Sequence, residues 1–91
     1  MDFDWDERKA AHNLAKHSVP FTEAATVFYD PLSISFGDPD HLMDEDRYIT
    51  IGMSDRGRLL IVSHADRDDM IRIISARLTT TRERKIYESG S

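Results

Sequence analysis

The sequence predicts an α+β fold: two N-terminal helices, a small antiparallel sheet of about four strands and one C-terminal helix, in the order α-α-β-β-β-β-α. Three observations predict it. Apolar residues recur at spacings of three and four over the first 28 positions. Segments rich in β-branched residues then follow one another across short Gly- and Asp-containing turns, as in an antiparallel meander. Finally, Thr80 and Glu83 stand at capping-box spacing ahead of Ile86 and Tyr87.

Phe3-Asp4-Trp5 reads as a short extended opening. Asp6 is a good N-cap, and Glu7 suits the first turn, where the helix dipole favours an acid. The first helix runs to about Lys16, with Ala10, Ala11, Leu14 and Ala15 as its apolar stripe. Ser18-Val19-Pro20 ends it. A second helix starts at Pro20 or Phe21 and continues to about Phe28, and Asp30-Pro31 stops it. Leu32 to Phe36 alternates as a strand, and residues 37–44 form a loop. Arg47 to Met53 is the next strand, followed by the turn Ser54-Asp55-Arg56-Gly57. Arg58 to Ala65 contains the run Leu59-Leu60-Ile61-Val62, which predicts a central strand covered on both faces. Met70 to Arg77 is the last strand, and the final helix begins near Thr79 or Thr80 and runs to about Glu88.

Ninety-one residues are the length of a single domain with a modest core, expected to span 1–91. There is no cysteine, which excludes disulfides and zinc-thiolate sites. The acidic start lacks the basic and apolar regions of a signal peptide, and no apolar run approaches the roughly 20 residues of a membrane helix. The expectation is a soluble cytoplasmic protein without membrane contact. Net charge is −5, but it is unevenly divided. Residues 1–46 hold three Lys and Arg against eleven acids, whereas residues 47–91 hold nine against six. A local basic site on an acidic body is compatible with that division.

The run Met70-Ile-Arg-Ile-Ile-Ser-Ala-Arg77 places two arginines on a strand. Arginine suits phosphate because its planar fork donates two parallel hydrogen bonds and stays charged. Strand parity puts Arg72 and Arg77 on opposite faces unless a bulge intervenes or Arg77 lies past the strand end. The second case is expected, since the helix cap is two or three residues on. His64, on the neighbouring strand, titrates near neutrality and suits a general acid; a core histidine bonded to a carbonyl is the structural alternative. Glu45 and Arg47, two apart, can share a face as base and phosphate clamp, or as a surface ion pair. Lys9, Asn13 and Lys16 make a polar stripe, ordinarily a solvated face. Tyr87 can serve chemistry or only pack the last helix. The segment 38–44 lacks the glycine and terminal acid of a calcium loop, and no phosphate loop or nucleophile elbow is present. The four histidines are too dispersed to suggest a metal site. Neither a cofactor nor a metal is expected.

Several segments together resemble the BrnT family, the ribonuclease toxins of bacterial type II toxin–antitoxin pairs. They are Phe3-Asp4-Trp5-Asp6 with Lys9 and Asn13; Lys16-His17-Ser18-Val19 with Phe21, Ala24 and Phe28; Asp30-Pro31; Glu45-Asp46-Arg47; Gly52; and Arg72 to Arg77 with Arg82, Glu83, Arg84 and Tyr87. The resemblance spans nearly the whole chain in order. Ser18 departs from it, standing where the family usually has glycine. The resemblance implies a RelE-like fold, metal-free RNA cleavage, and a hetero-oligomer with a DNA-binding BrnA-type antitoxin through which operator DNA is bound.

Such cleavage uses the ribose 2′-hydroxyl against its own phosphodiester and needs a base, an acid and cations. Arg72 and Arg77 are expected to stabilise charge, with Arg47 as a further clamp, His64 as acid and Glu45 as base, and Lys9 or Tyr87 as substitutes. The competing class is a non-catalytic binding module, or a degenerate toxin, that acts in a complex repressing its own promoter.

Overall fold

A computed structural model describes residues 1–41 and 46–90. The chain order is β1 (Asp2–Asp4), α1 (Glu7–His17), α2 (Phe21–Thr26), β2 (Ile34–Gly37), β3 (Arg47–Met53), β4 (Leu59–Arg67), β5 (Met70–Leu78) and α3 (Thr81–Ser89). The five strands form one sheet in the order β1-β5-β4-β3-β2. Two expectations change. The sheet has a fifth strand, the opening Asp2–Asp4, and it pairs parallel with β5, so the sheet is mixed rather than purely antiparallel. The two helices expected to open the chain therefore follow a strand. Three residues are too few to display alternation, and their partner lies almost seventy positions away.

β4 occupies the centre, and its apolar run is covered on both sides, as expected. Leu60 and Val62 join Val19, Phe21, Ala24, Val27, Ile73 and Ala76 in the core beneath α1 and α2. Leu59 and Ile61 join Ile51 on the other face, under Ile86 and Tyr87 of α3. Gly52 sits where β3 meets the end of α2: a Cβ there would stand 3.0 Å from the Val27 carbonyl oxygen and 3.1 Å from the Val27 and Ser33 Cβ atoms. Such contacts are tighter than most packed Cβ atoms make, so a larger residue there would need its neighbours to shift by a few tenths of an ångström.

α1 does not bury the predicted stripe. Leu14 is 49% exposed, and Ala11 and Ala15 are exposed with it. The buried residue is Asn13. Its Nδ2 donates to the carbonyls of Val19 (2.9 Å) and Ala76 (2.8 Å), and its Oδ1 accepts from the Ala76 amide (3.0 Å). These bonds satisfy β5 where β1 has ended, and they lay α1 along that strand edge. The helix stops at Ser18, which adopts the left-handed conformation (φ 58°) that favours glycine.

β5 carries a bulge. Ser63 pairs with Ser75 and His64 with Ile73, leaving Ile74 without a partner on β4. Side-chain parity reverses there. The bulge explains how Ile73 and Ala76, three apart, both enter the core under α1 and α2.

Candidate active site: a basic cleft at one end of the sheet

The bulge also places Arg72 and Arg77 on one face of the sheet, the face that α3 partly covers. The expectation that Arg77 lies past the strand end is thereby corrected: β5 runs on to Leu78, and the bulge aligns the two arginines. They still do different things. Arg77 forks onto Glu83 of α3, with Nη1 2.8 Å from Oε1 and Nη2 2.9 Å from Oε2. Glu83 in turn accepts from the Thr80 amide at 2.9 Å, closing the predicted capping box. The Arg77 fork holds Glu83 below the usual carboxylate range, and the bond to Glu83 raises the arginine.

Arg72 belongs to a different row. Asp4, Arg72, Ala65 and Arg47 are register partners straight across β1, β5, β4 and β3. Two strand spacings separate Arg72 from Arg47, roughly 10 Å between backbones. Ala65 between them is small, so the two long cations flank a depression. The resulting cleft, about 530 Å³, is lined by Lys9, Arg47, Arg67 and Arg72 with Asp4, Asp46, Ala65, Met70 and Ile74. Two of its four cations are paired, Arg72 with Asp4 at 3.0 Å and Arg67 with Asp46 at 2.8 Å. Lys9 and Arg47 have no ion-pair partner among the described residues. The other oxygen of Asp4, Oδ1, is buried and accepts no hydrogen bond from the described residues. Among the described residues the cleft therefore holds more cations than carboxylates, with the Lys9 ammonium and the Arg47 guanidinium free of ion pairs. Bound phosphate would complement it.

Of the residues expected to act together, Lys9, Arg47 and Arg72 meet in this cleft. His64 does not. It points to the opposite face, is 2% exposed, and lies edge-on to Phe28 with ring centroids 4.8 Å apart. Both ring nitrogens are engaged, Nε2 with Thr50 Oγ1 at 2.7 Å and Nδ1 with Asp66 Oδ1 at 2.6 Å. Burial lowers its pKa, and the Asp66 contact opposes that only in part. Tyr87 is also elsewhere. Its hydroxyl donates to Asp30 Oδ2 at 2.7 Å, and that bond with burial pushes its pKa up to about 12. Glu45 lies outside the described residues. Asp4 and Arg67 were not among the expected site residues. Asp4 enters through the parallel pairing of β1, which leaves no periodic signal, and Arg67 because β4 extends two residues beyond the expected Ala65.

A family model described as "Ribonuclease toxin, BrnT, of type II toxin-antitoxin system" matches residues 5–83. The chain belongs to the BrnT family. It is thus a toxin of the type II class, in a family of ribonuclease toxins whose members are partnered by an antitoxin. The fold agrees with the crystal structure of the Brucella abortus ribonuclease toxin BrnT, with a TM-score of 0.69 and 23% identity over 89% of this chain and 99% of that one. No curated protein matches the chain significantly. The BrnT family segments expected from the sequence map onto separate parts of the molecule: Asp4, Lys9, Arg47 and Arg72 onto the cleft, and Asn13, Gly52 and Arg77 onto the contacts that hold the sheet and helices together. No helix among the described residues is long and apolar enough to cross a membrane.

Proposed function

We propose that this BrnT toxin is a metal-independent endoribonuclease and that the cleft beside Arg72 is where it cuts. The observation that carries the proposal is the cross-strand row Asp4–Arg72–Ala65–Arg47, which gathers cations and a carboxylate around a small floor. The scissile phosphate lies between Arg72 and Arg47, whose charges favour the extra negative charge of the transition state. Asp4 takes the proton of the ribose 2′-hydroxyl through its exposed oxygen, Oδ2, the one that also meets Arg72. The 2′-oxygen bonds to phosphorus, the bond from phosphorus to the 5′-oxygen breaks, and Lys9 gives that oxygen its proton. The products are a 2′,3′-cyclic phosphate and a 5′-hydroxyl. His64 and Arg77 act structurally in this scheme, through the core and through α3. RNA cleavage arrests growth in the cytoplasm, and a BrnA-type antitoxin neutralises the toxin in a hetero-oligomer that binds operator DNA through the antitoxin.

The test is purified protein on single-stranded RNA in excess EDTA. Arg72→Ala should cut the rate about a hundredfold or more without lowering the melting temperature appreciably. Asp4→Asn should lose the rate similarly. If Arg72→Ala, folded, cleaves RNA and arrests growth like the parent, the cleft is not the active site. If the parent itself does neither, the chain is a binding module or a degenerate toxin.

A further inference from the structure

A second groove continues from the cleft and shares Lys9 and Ile74 with it. It runs between α1 and the edge of β5 that Asn13 satisfies, and its charged lining is Arg8, Lys9 and Lys16 with His12 and His17. No carboxylate of the described residues lines it. Arg8, Lys9 and Lys16 make no ion pair at contact distance with the described residues, on a chain whose net charge is −5. Lys9 does lie near enough to Asp6 for its charge to help the Lys9 and Arg8 backbone amides lower that carboxyl. Arg8, His12 and Lys16 recur every four residues, so they follow one helix face. A polar helix face alone would be a solvated surface. Here it forms one wall of a groove that opens into the phosphate cleft, and cations left unpaired along a groove have anions as their complement.

We infer that the substrate is an extended single-stranded RNA and that α1 holds its backbone beside the cut. This rests on the reading of the cleft as the cleavage site. Arg8 and Lys16 are about 12 Å apart along the helix at ~1.5 Å per residue, enough for about two or three phosphates of one strand. His12 and His17 add flat rings of the kind that stack on unpaired bases. A path that tracks backbone charge in this way reads length and strandedness more than sequence.

Binding can be tested apart from cleavage. The probes are 2′-O-methyl RNA oligonucleotides of two and eight nucleotides, which lack the attacking hydroxyl, followed by fluorescence anisotropy. The eight-mer should bind at least tenfold more tightly than the two-mer. Arg8→Gln with Lys16→Gln should remove most of that difference and reduce the slope of log affinity against log salt by about 1.4, two single-strand phosphate contacts. The single variants, each expected to lower the slope by about half as much, serve if the double variant does not fold. Equal binding of the two lengths, or a double variant that binds the eight-mer like the parent, would overturn the inference. So would equally tight binding of a duplex, or a double variant that loses only antitoxin binding. Any of these can occur while Arg72 still proves essential for cleavage, and the length effect can hold even if Arg72 does not.

Discussion

At Ala76 an amide side chain stands where the backbone of a neighbouring strand would otherwise be. Asn13 donates to one carbonyl of β5 and accepts from the amide of the same residue, and its second donor reaches Val19. All three bonds are buried. Removing the side chain leaves the Ala76 and Val19 backbone groups without partners in a place water does not reach, and each such group costs about 1–3 kcal/mol. Asn13→Ala should therefore destabilise the protein by about 3 kcal/mol in urea denaturation. Asn13→Asp should do at least as much harm, because a carboxylate offers no donor to the two carbonyls. A loss under 1 kcal/mol in both variants would mean that β5 does not need this contact. The sequence marks Asn13 only as one member of a polar stripe. What distinguishes it from Lys9 and Lys16 is a strand edge 63 residues away, which no local spacing records.

The elements differ in how much of them can be read locally. β3 has the expected bounds, and α3 has the expected cap, because alternation and capping chemistry are local signals. The bulge at Ile74 and the parallel pairing of β1 are long-range outcomes, and together they build the cleft. The bulge gives Arg77 a task at the level of α3. It fixes Glu83, and Glu83 caps the helix that covers Ile51, Leu59 and Ile61. The pair is only partly buried, so solvent screening reduces its worth. Arg77→Ala should cost about 1 kcal/mol, a fall of about 4–8 °C in melting temperature for a protein this size. Its effect on RNA cleavage should be much smaller than that of Arg72→Ala. A double-mutant cycle with Glu83→Gln should show that most of the loss is shared. An Arg77→Ala protein with the parental melting temperature but no cleavage would move Arg77 from support of α3 into the chemistry.

Across the whole molecule, charge is separated by place. Acids outnumber Lys and Arg in the composition, yet among the described residues the cleft and the groove along α1 gather Arg8, Lys9, Lys16 and Arg47, none of them in an ion pair. Titration is separated too. Arg58 holds Glu23 below the usual carboxylate range, and Arg77 does the same for Glu83. Such groups contribute stability that is present above pH 4.5 and is lost as pH falls through their lowered folded values. His64 works in a higher window. Burial lowers its folded pKa below 6.5, so between those two values the unfolded chain binds more protons than the folded one. Its contribution is fully present above pH 6.5, falls as the pH drops below it, and is gone once the folded pKa is passed. Protonation would place a charge against Phe28 in the core, with Asp66 as its only carboxylate contact among the described residues. Melting curves between pH 8 and 5 should therefore show stability declining before the carboxylates begin to titrate. His64→Gln should be less stable at pH 8 and should decline less over that interval. The other three histidines remain in both proteins, so the difference between the two curves isolates His64. If the variant declines as steeply as the parent, the buried imidazole is not the source of the acid sensitivity.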